Sequence, residues 1–351
     1  MISLNDLLKK TVEAKASDLH LTVGMSPTIR VNGKLERINN IKLTTNDTEA
    51  YVKEILDDLY NEYIKIGEID TSYSIAGLGR FRVNVYKQRG SHAIAIRVVG
   101  LKVPNLSEIK LPKVVKTLTN IQKGLVLITG PTGCGKSTTL AAMINEINNT
   151  RATHIITLEE PVEYLHKHNK SIINQREIGR DTLSYSNALK SVLREDPDII
   201  LIGEMRDIET INIALTAAET GHLVFSTLHT IGAVNTISRI IDVYPPHQQQ
   251  QVKIQLASVL EGIVCQQLIP RSDEEGRIAA TEIMISTPAI KNMIREGKIH
   301  QIESSMQTGS KHGMQTMDMS LVDLYKKGLI SYNSALSYSV DKEMFEKIAT
   351  L

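Results

Sequence analysis

The chain has 351 residues, 40 of them basic and 39 acidic, for a formal net charge of +1. That length suits two or three domains, and the near-cancelled charge excludes a global field that would drive binding to nucleic acid or to an anionic lipid surface. Its two cysteines, Cys134 and Cys265, exclude a disulfide framework and a four-cysteine zinc site. No apolar run approaches the roughly 20 residues that a membrane span needs. The opening residues, Met1-Ile2-Ser3-Leu4-Asn5-Asp6, lack a charged region followed by an apolar one, so the expectation is a cytoplasmic protein without membrane insertion.

In chain order, helical patterns near Ile2 to Ala14 and Thr48 to Tyr63 accompany short alternating segments at Thr28 to Val31, Ser72 to Ile75, Phe81 to Tyr86 and Ala93 to Val98. They predict an α+β module whose antiparallel sheet has one wet face, with Arg80, Arg82 and Arg97 alternating with apolar residues. Residues 100–112 carry two prolines and no strong periodicity. They read as a linker between an N-terminal domain, 1–99, and a second domain, 113–351. After the linker come apolar runs separated by helices: Gly124 to Thr129, His154 to Leu158, Asp198 to Ile202 and Leu223 to Thr227. Such runs belong in a parallel sheet buried on both faces, which makes the expected fold class α/β. Ser137 to Ile147 reads as a helix with Leu140, Ile144 and Ile147 on one face. Beyond residue 245 the pattern predicts mostly helix, with Gln248 to Leu268 the longest candidate.

Between the first apolar run and its helix lies Gly130-Pro131-Thr132-Gly133-Cys134-Gly135-Lys136-Ser137, a spacing that cradles nucleotide phosphates. Backbone N–H groups of such a loop turn inward around the β-phosphate, and the helix that follows aims its positive end at the same anion. Gly130, Pro131, Thr132, Gly133, Cys134, Gly135, Lys136, Ser137 and Thr138 are therefore the nucleotide-binding candidates, against a fortuitous glycine-rich turn. Lys136 would reach the β/γ-phosphates, and Ser137 would ligate Mg²⁺. A thiol near a helix N-terminus has a lowered pKa, which would make Cys134 sensitive to alkylation; a small loop filler is the plainer reading.

Ligands of open α/β sheets bind at the carboxyl ends of the strands, so the residues just after each run are read together. After the second come Glu159, Glu160 and Glu163, after the third Glu204 and Arg206, after the fourth His229. Phosphoryl transfer to water needs a metal to neutralise phosphate charge, a carboxylate to orient the water and a cation at the γ-phosphate. Glu204 is the metal-side candidate, holding Mg²⁺ directly or through its water shell. Three clustered carboxylates repel one another, which raises a pKa and suits a general base, but residue chemistry leaves the choice among them open. His222 and His229 flank the fourth run, as satisfied hydrogen-bonding residues or, on the sharper reading, as γ-phosphate sensors. No arginine near the loop is an obvious phosphate finger. Arg80, Arg82 and Arg97 are then candidates supplied by a neighbouring subunit, or else solvated arginines on a sheet.

Taken in order, these residues resemble the secretion ATPases of type IV pili and type II secretion systems over almost the whole chain. Gly130 to Ser137 is similar to that family's Walker A box, Thr157 to Glu163 to its acidic box, Ile202 to Asp207 to its Walker B segment, and Gly221 to Thr230 to its histidine box. Ala16 to Leu21 and Gly77 to Asn84 are similar to its front domain. The resemblance implies a PAS-like N-terminal α+β domain followed by a RecA-like P-loop NTPase domain with a helical C-terminal part. It also implies Glu163 as catalytic base, Glu204 as metal-side carboxylate, and His222 and His229 as nucleotide-state residues. ATP and Mg²⁺, a homohexameric ring and an inner-membrane pilus platform protein follow by the same resemblance, with no nucleic acid partner and a place at the cytoplasmic face of the membrane. Ala289-Ile290-Lys291-Asn292-Met293-Ile294-Arg295-Glu296 resembles a segment of the pilus retraction branch, differing at Lys291 and Met293. The chain has room for neither the extra N-terminal domain nor the four-cysteine motif of the assembly branch. The expected activity is ATP hydrolysis driving pilus retraction and twitching motility. A pilus assembly or type II secretion ATPase and a RecA-like nucleic-acid motor are the alternatives. Glu160 stands where the family commonly has aspartate.

Overall fold

A computed structural model of the chain describes residues 2–75, 77–99 and 103–350. The chain divides into two compact units, Met1–Lys102 with Pro161–Leu165, and Val103–Glu160 with His166–Leu351. The first three residues of the expected linker, 100–102, lie outside the described residues.

In the first unit, helix α1 (Leu4–Glu13) begins where the Ser3 hydroxyl accepts the Asp6 N–H, and its Leu4, Leu7, Leu8 and Thr11 recur at helical spacing and are buried. Strands β1 (Asp18–Thr22), β2 (Thr28–Val31) and β3 (Lys34–Arg37), helices α2 (Thr45–Leu56) and α3 (Tyr60–Ile66), and strands β4 (Glu68–Ile75), β5 (Gly79–Gln88) and β6 (Ser91–Val98) follow. The strands form one sheet of order β3-β2-β1-β6-β5-β4, antiparallel at every pairing. Strand period 2 sends Phe81, Val83 and Val85 into the core and leaves Arg80, Arg82 and Asn84 on the other face. The single helix expected over Thr48 to Tyr63 is two, broken at Asp57, whose φ of 46° no helix accommodates. Strand β3, exposed at each of its four residues, offered no hydrophobic signal and is held by pairing alone.

The second unit contains α4 (Lys113–Leu118), β7 (Gly124–Thr129), α5 (Lys136–Thr150), β8 (His154–Glu159), β9 (Ile172–Glu177), α6 (Tyr185–Val192), β10 (Ile199–Ile202), α7 (Ile208–Glu219), β11 (Leu223–Leu228) and α8 (Ala233–Asp242). It continues through α9 (Pro246–Val259), β12 (Leu260–Pro270), β13 (Arg277–Ile285), α10 (Pro288–Glu296), α11 (Ile302–Gln307), α12 (Met317–Lys326), α13 (Tyr332–Tyr338) and α14 (Lys342–Thr350). The sheet order is β13-β12-β7-β11-β10-β8-β9, parallel except between β12 and β13. Every residue of β7, β10 and β11 is buried. Leu125 and Leu127 pack with α6 to α9 on one side, while Val126 and Ile128 pack with α4 and α5 on the other. That two-sided burial explains why these strands read as continuous apolar runs.

The helix expected from Gln248 to Leu268 is not one element. It stops at Val259, and from Leu260, extended at φ −66° and ψ 125°, the chain becomes β12. The apolar run fits either state locally; the slot beside β7 decides, since Ile263 and Cys265 fill one core layer and Val264 the other. Strand β13 likewise corrects the expectation of mostly helix beyond residue 245. Among the described residues, no helix is long and apolar enough to cross a membrane.

Candidate functional site

Because β7, β8, β10 and β11 run parallel, the loops that follow them emerge at one edge of the sheet. After β7, the chain turns through Gly130, Gly133 and Gly135 at φ of 138°, 78° and 91°, backbone that side chains disfavour. At Gly130 space is also lacking: a Cβ there would lie 2.3 Å from the Gln266 carbonyl oxygen and 2.7 Å from the Cys134 Sγ. Gly135 caps α5, which puts Lys136, Ser137 and Thr138 in the helix's first turn, where backbone N–H groups have no intrahelical acceptor. The Lys136 ammonium is buried inside the loop and donates to the carbonyls of Gly130 (2.9 Å) and Pro131 (3.1 Å).

His229, just past β11, joins this lysine to the carboxylate that follows β10. Its Nδ1 lies 3.4 Å from Lys136 Nζ and 3.4 Å from Thr132 Oγ1, and its Nε2 lies 3.4 Å from Glu204 Oε1. An ammonium can only donate, so Nδ1 is the acceptor and the ring proton sits on Nε2, facing Glu204. The other Glu204 oxygen accepts from Arg206 Nε at 2.8 Å, and Arg206 Nη1 lies 3.7 Å from Glu160. The Glu204 hydrogen bond holds the Arg206 guanidinium above its ordinary pKa. Lys136, His229, Glu204, Arg206 and Glu160 thus form one chain of alternating donors and acceptors along the strand ends.

Two positions that sequence reasoning passed over shape this edge. Gly203 admits the Tyr185 hydroxyl, which lies 2.8 Å from where a Cβ would be. Burial first, then the charge of Glu160, pushes that phenol's pKa up, so it stays a neutral donor. The Thr227 hydroxyl donates to the Gly203 carbonyl at 2.6 Å, and the Met205 N–H donates to the Thr227 carbonyl at 3.1 Å, which fixes the turn carrying Glu204. Threonine in an apolar strand was the available signal; Tyr185 gave none, because only packing brings it there.

Cys134 is 3 % exposed, and burial raises its thiol pKa against the opposing pull of Lys136, which agrees with the small loop filler and not with an alkylation-sensitive thiol. Glu159 is held by Thr157 Oγ1 (2.7 Å) and Gln175 Nε2 (3.2 Å). Glu163 is exposed, on the segment that groups with the first unit, and has no hydrogen bond or ion pair among the described residues. His222 lies at the opposite end of β11: its carbonyl accepts the Gly124 N–H, and its Nδ1 faces the Ala217 carbonyl at 2.9 Å. Six residues of β7 separate that level from the loop, about 20 Å at ~3.3 Å per residue. In the first unit, Arg82 and Arg97 are directly paired across β5 and β6 and exposed. Arg97 donates to Asp18 at 2.9 Å, and Arg80 to Ser72 and Ser74 at 2.7 and 3.2 Å.

Residues 80–336 match the model of the type II/IV secretion system protein family. The chain belongs to that family. It is 48 % identical over 335 residues to a Pseudomonas aeruginosa protein named as the type IV pilus retractation ATPase PilT, covering 95 % of this chain and 97 % of that protein. It is 48 % identical over 311 residues to a Neisseria gonorrhoeae twitching motility protein, covering 88 % and 83 %. Among solved structures, the pilus retraction motor PilT with bound ADP superposes with a TM-score of 0.93 at 45 % identity, covering 99 % of this chain and all of that one. A Legionella pneumophila ATPase, DotB, matches at 0.77 and 28 % identity over 95 % and 94 %. The family's matched region begins inside the first sheet, at Arg80, and takes in every strand end described above.

Proposed function

We propose that this secretion-family chain is an ATP hydrolase that works as a homohexameric ring and drives type IV pilus retraction. The observation that supports the reading is the line from Lys136 through His229 to Glu204, an ammonium after β7 and a carboxylate after β10 on either side of β11, in a fold that matches the ADP-bound PilT motor. The relatives' names supply the direction of work.

On this reading, Lys136 leaves the loop carbonyls for the β/γ-phosphates, and the amides from Gly133 to Thr138 hold the phosphate oxygens. Withdrawal of the lysine frees His229 Nδ1, so that the imidazole reports whether a γ-phosphate is present while its Nε2–H still holds Glu204. Glu163 serves as general base: alone in its acidic group it has neither a hydrogen bond nor a charged partner among the described residues. Mg²⁺ fits the donor set, since Ser137 and Glu204 offer hard oxygens and the ion keeps several waters with a few oxygen ligands plus the phosphates. When bound, the ion neutralises phosphate charge. Arg80, Arg82 or Arg97 of a neighbouring subunit brings the missing cation, with domain 1–99 moving on linker 100–112 against domain 113–351. The partner is an inner-membrane pilus platform protein, which the ring engages from the cytoplasmic face of the membrane. His222, at the far end of β11 and held by the Ala217 carbonyl, takes no part in this cluster.

Phosphate release by the purified chain tests the chemistry. Lys136→Ala and Glu204→Gln should each abolish turnover in a folded protein, and near-normal turnover in either sinks the assignment. Mixing Arg82→Ala with Lys136→Ala subunits should restore some activity if the site is shared; none at any ratio refutes the trans arrangement. Deletion in the host should leave excess immotile pili, and their absence would indicate assembly instead.

A further inference from the structure

We infer that Gln266 is a positioning residue for the phosphate loop, clamping the junction between loop and helix from the neighbouring strand; the inference rests on the nucleotide reading above. Strand β12 runs beside β7 with Cys265 opposite Thr129, so the next residue, Gln266, arrives where the loop begins. There its backbone carbonyl fills the space that a Cβ on Gly130 would need. Its side chain is 2 % exposed and spans Gly135: Nε2 donates to the Cys134 carbonyl at 2.6 Å, and Oε1 accepts from the Thr139 hydroxyl at 2.9 Å. The amide can face only one way, because a carbonyl cannot donate and must therefore meet the NH₂. Gly135 itself, at φ 91°, leaves 3.1 Å between a would-be Cβ and this Nε2, so the clamp also closes against the glycine that starts α5.

The consequence is mechanical. A left-handed glycine between loop and helix is a swivel, and the direction of the loop's amides depends on its setting. Gln266 ties the residue before the swivel to a residue one helical turn after it, so the cradle is held in shape before any anion arrives. Because Gln266 pairs with Thr281 on β13, and Thr281 in turn receives Gln315 Nε2 on its carbonyl at 2.7 Å and donates its N–H to Ser320 on α12 at 3.0 Å, the clamp that grips Thr139 of α5 has its base in the C-terminal part.

The test uses the full chain and a fluorescent ADP, with Tm recorded for each variant. Losing two buried hydrogen bonds predicts about tenfold weaker binding for Gln266→Ala, and Thr139→Val, nearly isosteric and so safely folded, about threefold. Gln266→Glu separates clamping from packing. Ionised, it sets a carboxylate against the Cys134 carbonyl; protonated, it donates there as the amide did. Its affinity relative to wild type should therefore recover as pH falls, while Gln266→Met, which fills the same space with neither hydrogen bond nor charge, should stay as weak as Gln266→Ala at every pH. ADP affinities of Gln266→Ala and Thr139→Val within twofold of wild type, or a flat pH ratio for Gln266→Glu, would overturn the clamp while leaving the nucleotide site standing. Wild type that binds no ADP would overturn both.

Discussion

Replacing Gly130 with alanine tests whether the loop is shaped by contact with β12 or only by glycine's conformational freedom. Gly130 and Gly133 share the loop and both have positive φ, 138° and 78°. They differ in surroundings: nothing lies within 4 Å of a Cβ at Gly133, whereas one at Gly130 meets the Gln266 carbonyl oxygen at 2.3 Å and the Cys134 sulfur at 2.7 Å. An alanine held at positive φ costs about 1–2 kcal/mol, and reduced freedom of the unfolded chain returns roughly 0.4–1 kcal/mol. Gly133→Ala should therefore lose about 1 kcal/mol. Gly130→Ala adds an overpacking cost of about 1–3 kcal/mol, because its neighbour is backbone in a central sheet and cannot rotate away. The total of about 3 kcal/mol corresponds to a fall in Tm of roughly 6–12 °C for a domain of this size, against ~2–4 °C for Gly133→Ala. Differential scanning calorimetry on both variants, with ADP binding alongside, measures the contrast. Equal losses in the two would refute the argument, since the conformational term alone would then account for everything.

His229→Ala should lower kcat about 10- to 100-fold, the cost of one hydrogen bond to a charged group, with a smaller change in KM; an unchanged kcat by phosphate release would remove His229 from the line between Lys136 and Glu204. Glu282 accepts the Ala233 N–H at 2.6 Å at the start of α8, yet burial holds its pKa above the ordinary glutamate value. Its folded form thus holds the proton more tightly than the unfolded chain does. The stability this contributes is complete below the unfolded pKa of about 4.5 and is lost as pH rises through the higher folded value. Glu282→Gln should flatten that decline in a Tm series from pH 4 to 8, and an identical slope would contradict the burial argument. Cys134, buried with its pKa raised, should react with iodoacetamide at neutral pH far more slowly than a free thiol; labelling at the free-thiol rate would refute its placement.

Much of the site was legible because its chemistry is local. Glycines at fixed spacing, an apolar run before them and a helix after them specify strand, loop and helix whatever surrounds them. Strand ends carrying Glu204 and His229 could be read together because parallel strands deliver their carboxyl ends to one edge. The paired arginines were also legible, as polar positions of period 2 on a half-wet sheet. Harder to read were β3, which has no buried face, and the turn from α9 into β12, where the same apolar residues satisfy either period.

From the sequence alone came a glycine-rich loop of phosphate-binding spacing, the strand before it and the helix after it, three further buried strands, and the acidic and histidine residues at their ends, all set by spacing along the chain. Tertiary structure alone decided which partners those residues take. His229 meets Lys136 and Glu204 because β11 lies beside both β7 and β10, while His222, seven residues earlier, falls at the far end of the same strand. Tyr185 reaches Gly203 through the packing of α6, and Gln266 reaches across 132 positions to Cys134 by sheet order. Such contacts depend on which strands become neighbours, which is settled by burying both faces of the whole sheet at once and is written in no single segment.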